Sequence, residues 1–151
     1  RVTDNTLIMC VLPRLISRTN SICSVEDEFN GVVIKGLFYD KQFMFGRGAG
    51  GYPTGSAVLS DITACLYNYK YEYKKRNDSQ LPTYTTDYKF RVYYRYSDYA
   101  DLDLIKFDTV LENYISDEYK YVVGTVSLRD LHKIQDELRK RDVFIAAYPN
   151  D

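Results

Sequence analysis

The stretch from Phe45 to Thr54, FGRGAGGYPT, constrains the fold more than any other. Four glycines in six residues interrupt any regular strand or helix interior, so the chain must turn there. Pro53 is tolerated in the first turn of a helix. Val58, Ile62, Cys65, Tyr69 and Tyr73 follow at steps of four, three, four and four, the apolar stripe of an amphipathic helix. Upstream, Phe29 to Phe38 (FNGVVIKGLF) is rich in β-branched and aromatic residues, and Lys41 to Phe45 follows a short turn at Asp40. The two predict a hairpin. The first half therefore reads as hairpin, glycine loop, helix. The far end of that helix has a competing reading, since Tyr67, Tyr69, Tyr71 and Tyr73 also alternate with Asn68, Lys70 and Glu72, as in a strand. Helix is the expectation taken here.

Gly46, Gly48 and Gly51 literally satisfy GxGxxG, and backbone amides at a helix N-terminus hold phosphate. A dinucleotide fingerprint also needs a βαβ unit and an acidic residue about 20 residues on. That offset falls near Glu72, inside the predicted helix and with no parallel strand, so the Rossmann reading is rejected. A Walker loop fails because Tyr52 stands where Lys is required. From these residues alone, a purely structural turn carries as much weight as a binding loop.

Lys75 to Asp87 (KRNDSQLPTYTTD) is polar, contains Pro82 and has no apolar period. The expected organisation is a first domain over 1–75, a linker over 76–87 and a second domain over 88–151. In the second, Tyr88, Phe90, Val92, Tyr94 and Tyr96 alternate with Lys89, Arg91, Tyr93 and Arg95, predicting a strand with one apolar face. Leu104, Phe107, Leu111 and Tyr114 step by three, four and three, predicting a helix. Tyr119 to Val126 is a second strand. Ser127 with Asp130 forms an expected capping box for a helix carrying Leu128, Leu131, Ile134 and Leu138, and Val143 to Tyr148 closes as a strand. This βαβαβ order approaches the ferredoxin-like plan with one middle strand shortened or missing. The fold class expected is α+β: part of a mixed-sheet domain, then a ferredoxin-like domain of the type that ACT regulatory domains share.

Composition excludes several function classes. With 45% hydrophobic and 27% charged residues, the 151-residue chain suits a folded, water-soluble protein. Twenty basic against twenty-one acidic residues leave a net charge of -1, which gives no field favouring nucleic acid or an anionic membrane surface. Cys10, Cys23 and Cys65 are odd in number and lack a CxxC pair, as expected of reduced thiols in the cytoplasm and not of a zinc site. No apolar run approaches the ~20 residues of a membrane helix, and no signal-peptide pattern opens the chain. It starts at Arg1 rather than Met, which leads to the expectation of a piece of something longer.

Gly46 to Ile62, GRGAGGYPTGSAVLSDI, closely resembles the G-x-G-A-G-x-x-P-T-x-x-A-V-x-x-D segment near the end of the homoserine dehydrogenase catalytic domain, including Pro53, Thr54, Ala57, Val58 and Asp61. Asn30 to Gly36 (NGVVIKG) is similar to that family's N-A-V-x-V-x-G strand, with Gly31 where Ala is usual. Val11 to Pro13 sits where the preceding strand would enter, and Tyr88 to Pro149 resembles the ACT-type extension of some members. The resemblance implies an enzyme that interconverts aspartate 4-semialdehyde and homoserine with NADP or NAD, on the route to threonine, methionine and isoleucine. It implies that the glycine loop lies beside the nicotinamide, with Gly50 as the cofactor contact and Gly48 and Ala49 as neighbours that let the backbone approach. It further implies a homodimer, a small-molecule substrate and a possible amino-acid effector. The family's catalytic Lys, its partnering Asp, the substrate-binding Glu, the nucleotide-binding domain and the monovalent-cation site fall upstream of the matching segment. No catalytic or metal-binding residue is therefore assigned here, and the chain alone is expected to be inactive.

His132, the only histidine, is expected on a helix surface, and Asp61, Asp101, Asp103 and Asp108 as helix-face or cap residues. ACT domains that sense amino acids usually carry a glycine after their first strand, whereas Ser97 to Leu102 (SDYADL) has none. A dimerisation or stabilising role is thus at least as well supported. Two rivals remain: a regulatory or assembly module, and an RNA-binding sheet that stacks bases on Tyr88, Phe90, Tyr94 and Tyr96.

Overall fold

In the computed structural model, residues 2–3, 5–69 and 82–149 are described. Contacts divide the chain into two units, Ile16–Asn77 and a second formed by Arg1–Leu15 with Asp78–Asp151. The segment 70–81, which holds half of the expected linker and Tyr71 and Tyr73, lies outside the described residues.

In the unit over Ile16–Asn77, a 3-10 turn at Ser21–Ser24 precedes two antiparallel strands, β3 (Phe29–Ile34) and β4 (Gln42–Arg47), numbered after β1 (Val2–Thr3) and β2 (Thr6–Leu7) of the other unit. Phe29 opposes Arg47 and Ile34 opposes Gln42, so the expected hairpin is present. Helix α1 (Gly51–Leu66) follows the glycine loop. It ends earlier than its apolar stripe predicted. Asn68 adopts φ 54, the Tyr69 amide donates to the Ala64 carbonyl at 2.9 Å and the Asn68 amide to that of Cys65 at 3.0 Å. This left-handed C-terminal cap satisfies the Ala64 and Cys65 carbonyls and ends the helix before Tyr69 can join it.

The larger unit is built on a four-stranded antiparallel sheet in the order β7-β8-β6-β9, from β6 (Lys89–Tyr96), β7 (Phe107–Ile115), β8 (Lys120–Ser127) and β9 (Val143–Ala147). Helix α2 (Tyr99–Leu102) follows β6, and α3 (Leu128–Leu138) joins β8 to β9. The order is a complete β-α-β-β-α-β, which corrects the expectation of a lost middle strand. The short element is α2, and the segment expected as a helix from Leu104 to Tyr114 is mostly strand β7. Two register shifts explain the misreading, between Phe107 and Thr109 and between Val110 and Glu112. Each bulge adds a residue and breaks the two-residue alternation that marks a strand, while Phe107 and Tyr114 of the expected stripe fall on opposite faces, across from Val126 and Tyr121.

The core forms where β6 and β8 turn one face towards α3. Val92, Tyr94, Tyr96, Ile105, Val122, Val126 and Leu131 are buried, with Phe90, Phe107, Ile134, Leu138, Val143 and Ile145 packed around them. Burying each such side chain stabilises the fold by roughly 1.5–3 kcal/mol before entropy is counted. The expected capping box on α3 is absent. Ser127 is the last residue of β8, paired with Lys89, and its side chain makes no cap bond. The Leu128 amide is satisfied by the Tyr88 carbonyl at 2.8 Å, and Asp130 turns to Lys133 at 2.9 Å. A capping box does form on α2, between Asp98 and Asp101.

The first residues complete this unit through pairings distant in sequence. β2 pairs antiparallel with β1 and parallel with β5 (Thr83–Tyr84), and Arg14 bridges to Ala147 beside β9.

Candidate functional site

The loop over 46–51 is set by the hairpin before it and the helix after it. β4 delivers Gly46 opposite Asn30, and the Gly48 amide extends the pairing by donating to the Glu28 carbonyl at 3.0 Å. Gly50 has φ 108, in a region that side-chain-bearing residues rarely adopt, so the turn into α1 requires glycine there. The Gly50 carbonyl then accepts from the Thr54 amide at 3.2 Å and from Thr54 Oγ1 at 2.8 Å, closing the first turn. In that turn Pro53 has no N–H, and helix geometry leaves the Gly51 and Tyr52 amides without intrahelical partners.

The loop presents backbone and open space. A Cβ at Gly46 or Gly51 would meet nothing within 4 Å, and at Gly50 only Pro53 Cδ, at 3.6 Å. Gly48 is different. A Cβ there would overlap the side-chain amide of Asn30, which lies against the Gly48 α-carbon. Beneath the loop, Phe29 stacks on Phe45 at 4.7 Å between centroids. The Arg47 guanidinium lies 5.2 Å from the Phe29 ring and 3.5 Å from Glu28. These contacts stiffen the platform from which the loop projects. Between Gly46 and Thr54 the only titratable side chains are those of Arg47 and Tyr52, and Tyr52 is 95% exposed. The arrangement suits binding of a flat or anionic group by amides and helix dipole; it holds no acid or base beside a reacting atom. Gly48, Ala49 and Gly50 are thus consecutive in one exposed turn, and the residue that the motif reading overlooked is Asn30, whose side chain reaches the loop from the neighbouring strand.

The family model for homoserine dehydrogenase matches residues 2–63, which include the whole hairpin, the glycine loop and most of α1. Residues 2–63 are similar to homoserine dehydrogenases. A homoserine dehydrogenase of Synechocystis is 42% identical over 52 residues, 34% of this chain and 12% of that relative. One from Mycobacterium leprae is 31% identical over 94 residues, 60% of this chain and 21% of the relative. The matched regions therefore span about a fifth or less of these relatives' length. A crystal structure of a homoserine dehydrogenase from Thiobacillus denitrificans superposes on 98% of this chain and 40% of its own, with a TM-score of 0.57 at 18% identity, a likeness of fold.

The larger unit has a cavity of about 440 Å³ between Met9–Leu12, α3 and β9, with His132, Gln135 and Arg139 among its lining residues. It contains no loop residue and is mainly apolar; only Met9–Leu12 of its lining fall within the family match, whereas the loop lies wholly inside it, so the loop is the better candidate. His132 is exposed on α3, as expected. Asp101 is buried, 3.7 Å from Arg141, and Asp108 pairs with Lys89 at 3.2 Å, both structural roles. The RNA-stacking rival loses two of its four aromatics: Tyr94 and Tyr96 are buried in the core, and burial raises the Tyr94 phenol's pKa, helped by the charge of Asp101. Among the described residues, no group of metal-ligating side chains occurs and no helix is long and apolar enough to cross a membrane.

Proposed function

We propose that this chain is part of a homoserine dehydrogenase, in which its glycine loop forms one wall of the cofactor site. The observation that carries the reading is that the family match includes Gly50, the one glycine among the described residues with a positive φ. The substrate pair is aspartate 4-semialdehyde and homoserine, and the cofactor is NADP or NAD, which supplies the hydride when bound. The open space above Gly46, Gly50 and Gly51 fits a planar nicotinamide ring. Gly50 contacts the cofactor, while Gly48 and Ala49 keep the turn narrow. The catalytic Lys and Asp and the nucleotide-binding domain belong to other parts of the enzyme, so the 151-residue chain alone has no dehydrogenase activity. The enzyme works in the cytoplasm as a homodimer. The domain over 88–151 is ACT-like and serves assembly or stability, since Ser97 to Leu102 offers no glycine to an amino-acid effector.

Gly50→Val tests the loop assignment in the full-length enzyme. Valine at φ 108 strains the turn by about 1–3 kcal/mol and places carbons where the ring would lie. The expected result is a rise in cofactor KM of at least about tenfold, since each tenfold costs only ~1.4 kcal/mol. An unchanged cofactor KM with unchanged turnover would remove the loop from the site.

A further inference from the structure

Asn30 lies on β3 directly opposite Gly46, and its side chain leans along the hairpin to the next position on the same face, Gly48. The amide occupies the space that any side chain at 48 would need. The absent Cβ at Gly48 therefore makes room for Asn30. Asn30 is exposed, and its side-chain amide makes no hydrogen bond to any described residue, so both its donor and its acceptor are unspent at the mouth of the loop. A primary amide of this kind can form two parallel hydrogen bonds with another primary amide, donating from Nδ2 to the carbonyl oxygen and accepting at Oδ1 from the NH2 group.

We propose that Asn30 is a specificity residue of the glycine loop, its side-chain amide pairing with the carboxamide of a nicotinamide nucleotide held over Gly48–Gly50. This rests on the reading of the loop as a cofactor wall. It explains why residue 48 must be glycine although its backbone has no unusual φ: Gly48 seats the reader and Gly50 makes the turn.

The test is equilibrium binding to the full-length enzyme of NAD and of its 3-acetylpyridine analogue, in which a methyl replaces the carboxamide NH2. The native enzyme is expected to prefer NAD by roughly fivefold to tenfold, the effect of one neutral hydrogen bond. Asn30→Ala should weaken NAD binding and bring the ratio of the two dissociation constants towards one. Gly48→Ala, whose methyl displaces the amide, should do the same, and thermal unfolding of each variant checks that the fold is retained. A native-like ratio in a folded Asn30→Ala variant overturns the proposal and leaves the cofactor wall standing. Failure of the native enzyme to bind either nucleotide, whether offered as NAD or NADP with the matching 3-acetylpyridine analogue, overturns both.

Discussion

Tyr121 sits on the sheet face opposite the helices, where its hydroxyl donates to Glu112 Oε1 at 2.5 Å. Holding that proton against a carboxylate raises the phenol pKa from 10.0 to about 12, the hydrogen bond being the main cause and desolvation the next. Because the folded value lies above the unfolded one, the contribution to stability is fully present below about pH 10 and is lost as the pH rises towards 12. Tyr121→Phe cannot make this bond. The urea midpoint of wild type should therefore exceed that of Tyr121→Phe by a constant margin up to about pH 10, and the margin should close by pH 12. A margin unchanged at pH 12 would contradict the assignment. Asn30 belongs to the same scale: only its cross-strand register, and no residue pattern, brings it to Gly48.

Among the elements, those with a regular period were legible in the sequence. Val92, Tyr94 and Tyr96 alternate on β6 and are buried, and Leu128, Leu131, Ile134 and Leu138 mark the inner face of α3. The glycine loop was legible because glycine permits the positive φ that Gly50 adopts, while Pro53 fixes its own φ near the helical value. β7 was not, since its bulges break the two-residue alternation. Those bulges lean on Gly124, where a Cβ would lie 2.6 Å from both Phe107 Cδ1 and the Thr109 carbonyl oxygen. The neighbour is partly backbone and cannot swing aside, so Gly124→Ala should destabilise the larger unit by about 1–3 kcal/mol in urea unfolding. A loss below roughly 0.5 kcal/mol, the range of neutral surface changes, would show that β7 yields easily.

At the scale of the whole molecule, the least legible feature is the membership of the first fifteen residues in the larger unit. Thr6–Leu7 reaches Thr83–Tyr84 and Arg14 reaches Ala147 through pairings that leave no local signal. Side-chain chemistry was equally silent about catalysis, because the loop presents backbone amides and glycine space and carries no acid or base. The proposal is therefore that hydride transfer belongs to a larger enzyme of which this chain supplies one wall. The most direct measurement is homoserine-dependent reduction of NADP and NAD by the full-length gene product and, side by side, by the purified 151-residue chain. Activity in the full-length protein with none in the chain is the predicted result; activity in neither, or hydride transfer by the chain alone, would contradict it.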